Sequence, residues 1–330
     1  MSRRLLVGAV VVALVVGVVA LTGRWVYRSV EGFLPGAQGC VATLDVDGTT
    51  AEVELDVEQA EHAALIVATA VRRGLPARAA TIALATAYQE SKIRNIDYGD
   101  RDSVGLFQQR PSQGWGTEEQ LTDPSYATNA FYDALVEVPG YADLPVTEAA
   151  QAVQRSGFPE AYADHEADAR VLASALTGWT GAALTCRVDT DVRTEAGEEL
   201  DASGLTERAA TVRTELAAAY GELSLGGFAP GGVSTGHSEG SAHYDGRAID
   251  VFTRPVTEET QRLGWSVAQY LVAHAERLDV ATVIYDDMIW TARRSGQGWR
   301  PYDVDTSGVD EDTAAILEHR DHVHVDVFAS

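Results

Sequence analysis

The chain has 330 residues and a formal net charge of −24, with 49 acidic against 25 basic residues. An acidic balance this strong repels phosphate and so argues against a nucleic-acid partner. The length is enough for two domains with their own cores. Leu5 to Thr22 carries no charge and is apolar up to its final threonine, with Arg3 and Arg4 before it and Arg24 and Arg28 after it. As a helix this run spans about 27 Å at ~1.5 Å per residue, just enough for a bilayer core. A cleaved signal peptide competes, but no Ala-x-Ala site follows and the run is long for a signal core. The expectation is that residues 1–30 hold a cytoplasmic start and a transmembrane anchor. Residues 5–22 would then cross the cytoplasmic membrane as a single pass, with the remainder exported. In an exported chain the only two cysteines, Cys40 and Cys186, are expected to pair. A bridge closing so long a loop contributes roughly 5 kcal/mol at the entropic upper limit.

Thr43 to Leu55 alternates around Asp47-Gly48, which predicts a hairpin. The Asp-Val-Asp-Gly run lacks the rest of a calcium loop and reads as a turn. Helical periodicity starts near Val57 with Asp56 as N-cap, and Ala60, Ala64, Val67 and Val71 share a face. Gly74 ends this helix and Pro76 opens the next. Ala79, Ile82, Ala83 and Ala87 stripe the second helix, whose C-terminal end carries Glu90. Further helices are expected from Asp123-Pro124 through Leu135, from Thr147 through Val153, and from about Pro159 to Leu176. Helices joined by short polar loops predict an all-α domain over residues 41–188.

Glu90 is a lone acid at the end of an apolar segment. Loss of hydration raises such a carboxyl toward neutrality, where it serves as a general acid. A Gly- and Asp-rich loop follows, then Gly105-Leu106-Phe107-Gln108-Gln109 and the turn Gly114-Trp115-Gly116. Gln108 and Gln109 are candidates to line a groove, and Trp115 offers a sugar a flat apolar face. Glu90-Ser91, with Gly105-Leu106-Phe107-Gln108 beginning fifteen residues after Glu90, resembles the soluble lytic transglycosylase and goose-type lysozyme family. The resemblance covers roughly Val57 to Ala175. It implies a lysozyme-like fold that cleaves glycan strands with Glu90 as the acid. In that family a late segment carries a tyrosine that contacts the catalytic region. The nearest local match, Gln154-Arg155-Ser156-Gly157, has none, and Tyr162 is the nearby substitute.

Asp189 to Ser203 is acidic and polar, and residues 189–203 read as a linker. Leu205 to Tyr220 reads as an amphipathic helix, and Gly226 to Gly236 as a Gly-rich approach to a second site. That site starts at Ser241 to Phe252, where Gly246 turns the chain between His243 and Asp250, and Arg247 to Phe252 is a strand presenting Asp250. Near the C-terminus His322 and His324 alternate with valines and project from one strand face. Two histidines and one aspartate make a three-ligand zinc set with a fourth position open. Between these halves, Glu258 to Leu278 is predicted as a long helix and Ala281 to Arg293 as a hairpin around Asp286-Asp287. The second domain is expected to be α+β over residues 204–330.

The pattern Ser241, His243, Gly246, Ala248, Asp250 resembles the zinc D-alanyl-D-alanine carboxypeptidase, endolysin peptidase and hedgehog group. The resemblance implies His243, Asp250 and His324 as metal ligands, Asp321 as the base and His322 as a substrate-binding donor. Together the two resemblances imply a multidomain protein. An all-α lysozyme-like domain would precede an α+β zinc peptidase-like domain, behind an N-terminal transmembrane helix. Such a protein would sit on the cell-wall side of the membrane. Its partners would be peptidoglycan: glycan strands for a lytic transglycosylase or muramidase module, stem peptides for a zinc peptidase module. The alternative is a non-catalytic peptidoglycan-binding or scaffolding protein with a structural zinc.

Overall fold

Asp47 and Gly48 close a hairpin between β1 (Gly39–Val46) and β2 (Thr49–Leu55), both turn residues taking the positive φ that such a turn needs. These coordinates are a computed structural model that describes residues 38–191, 193 and 195–329. The apolar segment Leu5–Thr22 lies outside the described residues. Among the described residues no helix is long and apolar enough to cross a membrane. A third strand, β3 (Leu184–Arg187), pairs with the other edge of β1 and sets Cys186 opposite Cys40. The two are joined by a disulfide, with Cα atoms 3.9 Å apart and 146 positions between them in sequence. The stretch expected to be an all-α domain behind a hairpin therefore closes on a third strand, which completes a three-stranded sheet.

Within that loop lie α1 (Val57–Arg72), α2 (Ala77–Ser91), α3 (Glu118–Leu121), α4 (Pro124–Val136), α5 (Val146–Gln154) and α6 (Glu166–Leu176). Asp56 caps α1 in a capping box with Gln59, and Asp123 caps α4 through the backbone N–H groups of Ser125 and Tyr126. The expected stripe on α2 is only part of what it buries: Ala80, Leu84 and Ala85 are as inaccessible as Ala79, Ile82, Ala83 and Ala87. With α1, α5 and α6 packed around it, α2 is apolar on every side because every side is covered. Its alanines let the neighbouring backbones approach closely.

The C-terminal half contains α7 (Glu207–Tyr220), β4 (Leu225–Gly226), β5 (Ala248–Phe252), α8 (Glu258–Ala273), β6 (Val280–Tyr285), β7 (Met288–Thr291), β8 (Arg300–Pro301), α9 (Glu311–Leu317) and β9 (His322–Val327). The strands form an antiparallel sheet in the order β4-β5-β9-β6-β7-β8. The long helix expected through Leu278 stops at Ala273, where the His274 N–H closes back on Tyr270. The fold as a whole is thus mixed helix and sheet.

Helix α8 joins the two halves through buried polar groups whose hydrogen bonds are made. Gln269, fully buried in α8, accepts from the Ala183 and Leu184 N–H groups at 2.9 and 2.6 Å and donates to the Ala175 carbonyl at 2.6 Å. Ser266 donates to the Leu176 carbonyl at 2.6 Å, and Trp299 donates to the Leu184 carbonyl at 2.8 Å. Residues Gly39–Ser330 form one compact unit. The acidic run after β3 is tied to that body. The Asp189 N–H donates to Glu276, the Arg193 guanidinium lies 4.1 Å from the Phe328 ring centre, and the Gly197 N–H donates to Glu207.

Candidate functional sites

Glu90 sits half-buried one position before the end of α2. The helix stops abruptly. Lys92 and Ile93 both take left-handed backbone angles, φ 61° and 59°, a conformation that costs about 1–2 kcal/mol per non-glycine residue. Contacts from α1 and from Ser91 offset that cost. Gln59 donates to the Lys92 carbonyl at 2.8 Å, and His62 Nδ1 lies 3.0 Å from the Ile93 carbonyl. Arg94 pairs with Glu58 at 2.7 Å and with Asp56, and its N–H donates to the Ser91 hydroxyl. Buried Ser91 in turn donates to the Leu106 carbonyl at 2.7 Å, pinning the Gly-Leu-Phe-Gln segment to the helix end. Gly105 enters that segment at φ 78°, where a Cβ would stand 2.1 Å from the Leu121 carbonyl oxygen.

Tyr162 is the side chain that reaches the acid. It is fully buried, and its hydroxyl donates to Glu90 Oε1 at 2.7 Å. Burial, aided by the Glu90 charge, raises the Tyr162 phenol far above its usual range, so it remains a donor. The segment Gln154-Arg155-Ser156-Gly157 contributes differently: Gln154 Nε2 donates to the Phe107 carbonyl at 2.8 Å. Beside Glu90, Gln89 Oε1 lies 2.9 Å from His165 Nε2. The residues expected to meet a ligand divide. Gln108 donates within its own loop, to the Tyr98 and Gly105 carbonyls. Gln109 is buried, and its Nε2 donates to the Ala127 carbonyl at 3.3 Å, which braces the loop. Trp115 packs half-buried on the core, its carbonyl accepting from Tyr126. Asp102 is engaged by Arg110 and by Ser112, which hold its carboxyl well below the usual range.

The second site is built where β5 and β9 pair. Their register places Asp250 directly opposite His324 and Phe252 opposite His322, so Asp250, His322 and His324 share one face. His243 comes from the short turn Ala242–Asp245 that precedes β5, and Gly246 ends that turn in the left-handed conformation. Three atoms converge. His243 Nε2 is 3.2 Å from Asp250 Oδ1 and 3.1 Å from His324 Nδ1, and the latter two are 3.3 Å apart. Four ligands about 2.0 Å from a tetrahedral ion stand about 3.3 Å from one another, so this near-equilateral triangle matches one face of such a shell. All three residues are buried, at 3%, 5% and 8% exposure.

The outer nitrogens of both histidines are held. His243 Nδ1 is 2.8 Å from the Gly227 carbonyl, and His324 Nε2 is 3.3 Å from Asp326. Those acceptors assign the ring protons outward and turn the inner lone pairs to the centre. Only glycine fits at 227: at φ 79°, a Cβ there would stand 2.3 Å from His243 Cε1 and 2.8 Å from Asp250 Oδ2. Burial works to raise the Asp250 carboxyl, but the two histidines outweigh it and hold it far below the usual range. Burial likewise opposes the charge on His324, yet Asp250 and Asp326 lift it to about 9, so a metal binding there must displace the proton on the inner nitrogen. This donor set, two imidazoles and one ionised carboxylate, is of the kind that binds a divalent metal. A second grouping brings His237 within 4.8 Å of His243 and Asp250 through one ligand atom each.

Asp321 faces away from the triangle. Its Oδ1 accepts from His322 Nδ1 at 2.7 Å and its Oδ2 from Arg254 Nε at 2.6 Å. Burial opposes ionisation there, but His322 and then Arg254 hold the carboxyl below its usual range. With Nδ1 committed to Asp321, His322 turns Nε2 inward, to 3.8 Å from Asp250 Oδ1. His319 lies beside His322, ring centres 4.6 Å apart and planes tilted by 38°, and burial together with the neighbouring imidazoles pushes it down to about 3. Arg254, Gly227 and His319 carry no signature at the sequence level. Only His237 offers a cue, as one more histidine in a Gly-rich run six positions before His243.

Among known proteins, a family model described as VldE, C-terminal domain, is similar to residues 201–314. The matched stretch includes His237, His243 and Asp250 and stops before Asp321, His322 and His324. No curated protein matches the chain.

Proposed function

We infer that this protein is a peptidoglycan hydrolase whose C-terminal half is a zinc-dependent peptidase acting on stem peptides. The observation that carries the reading is the triangle of His243 Nε2, Asp250 Oδ1 and His324 Nδ1, with edges of 3.1–3.3 Å and each histidine oriented from behind. A zinc ion held there would supply Lewis acidity toward a scissile carbonyl. The chain's own residues do the rest. His322 takes the proton at Nε2, the nitrogen that faces the centre. Asp321 fixes the tautomer of His322 and stabilises its charged form. Arg254 keeps Asp321 ionised and in place. The carboxylate expected to act as base thus acts through a histidine.

The Glu90 site supports glycan cleavage as the partner activity. Tyr162 engages Oε1, which leaves Oε2 to carry the proton delivered to a glycosidic oxygen. A single carboxyl suffices for a lytic transglycosylase, where a hydroxyl of the sugar attacks the anomeric carbon. The full chain should release soluble fragments from purified peptidoglycan. Chelation should stop release of new amino termini and spare release of glycan ends. If the zinc-loaded chain releases neither while still binding the polymer, the scaffolding reading replaces this one. The anchor reading of residues 5–22 would place both activities at the outer face of the membrane.

A further inference from the structure

His237 is a histidine at the second site that neither the ligand triangle nor the Asp321–His322 pair uses. Its ring stacks on His243, centroids 3.9 Å apart and planes 18° from parallel. One of its ligand atoms lies within 4.8 Å of those of His243 and Asp250, at most about 1.5 Å beyond the spacing of a tetrahedral shell. At His237 the backbone of its loop is clamped by Tyr244. Tyr244 OH accepts from the His237 N–H at 3.0 Å and donates to the His237 carbonyl. Next to it, Gly236 takes φ 94° with nothing within 4 Å of a would-be Cβ, so the chain has both room and conformational range to swing there.

We propose that His237 is a displaceable fourth ligand, so that the metal site alternates between a closed state with four protein ligands and an open state with three. The proposal rests on the zinc reading above. Zinc sites closed by four protein ligands are structural, and those with three keep a position for the reaction. A histidine whose backbone is clamped by Tyr244 beside an unhindered Gly236 makes one site capable of both. A stem peptide entering the site displaces the ring, and the loop then covers the peptide. Without a peptide the ring holds the metal and suppresses stray hydrolysis.

The test uses the full chain, stripped of metal and loaded with one equivalent of cobalt(II) as a spectroscopic probe, beside zinc affinity measured by competition. His237→Ala should change the visible cobalt spectrum, because a nitrogen ligand is lost. It should also weaken zinc by about tenfold or more, the scale that even an outer-shell partner supplies. Tyr244→Phe, which removes the backbone clamp and leaves the ring intact, should shift both readings in the same direction by less. A cobalt spectrum and zinc affinity identical in parent and His237→Ala overturn the proposal and leave the three-ligand site standing. A parent chain that binds neither metal removes the zinc reading and this proposal with it.

Discussion

The two sites are held in contrasting ways. Glu90 stands at the end of one helix, reached by one tyrosine, and its position is set by backbone: the left-handed turn at Lys92 and Ile93, pinned by Gln59, His62 and Ser91. The His/Asp site is held by side chains that bind one another. His243, Asp250, His324, His322 and Asp321 form a continuous buried chain of contacts across two strands and a turn. A site of the first kind loses chemistry when its one acid changes and keeps its shape. A site of the second kind loses shape as well, because each member is a partner of the others.

The largest effect should separate the sites completely. His324→Ala should abolish tight zinc binding and all peptide cleavage while glycan cleavage continues, measured by metal content and by fragment analysis. Continued zinc binding at the parent level would mean that another side chain, such as His237 or His322, holds the metal in place of His324. Next, Glu90→Gln removes the transferable proton and keeps the shape. Glycan cleavage should fall about 10²–10⁴-fold, the usual worth of a positioned general acid, with zinc content unchanged. A variant cleaving at the parent rate would remove Glu90 from the mechanism.

Reduction of Cys40–Cys186 asks whether the contrast survives in stability. Loss of a native disulfide typically costs about 2–5 kcal/mol. The buried contacts of Gln269 and Ser266 tie the halves into one body. The midpoint of unfolding should therefore fall for both halves together. Two separated transitions, with metal retained through the first, would show that the halves unfold independently.

Asp321→Asn should have a smaller effect. Zinc should stay bound, while peptide cleavage falls about 10–100-fold, as for other partners behind a reacting histidine, and the pH–rate profile shifts. A variant that loses zinc would make Asp321 a ligand instead of a positioning residue. The smallest effect concerns His274, away from both sites. Burial, and then the Arg277 charge, push its imidazole down to about 4. The unfolded chain binds this proton near pH 6.5 and the folded protein only near 4, so stability is complete above 6.5 and is lost as pH falls toward 4. His274→Gln should flatten that slope by up to one proton in acid-denaturation series. An unchanged slope would assign the acid sensitivity elsewhere.

Much of this was legible in residue order. Capping residues, glycine stops and the Asp47-Gly48 turn locate the elements, because helix ends and tight turns are decided by a few neighbouring residues. Alternation in His322-Val323-His324 puts both histidines on one face, because a strand has a period of two. Pairing register, burial and second partners were not legible, because they depend on which element covers which. The small residues of α2 read as a stripe until neighbouring helices bury every side. The partner of the Gln109 amide, the Ala127 carbonyl, is set by packing. Tyr162 lies 72 positions from Glu90 and meets it only through packing. The family resemblance implies Asp321 as a base. It becomes a partner of His322 because Arg254, 67 positions earlier, takes its other oxygen. Local sequence thus determined where the chain turns and which way its side chains alternate. The tertiary structure decided which side chains meet, because long-range contacts depend on how distant segments pack.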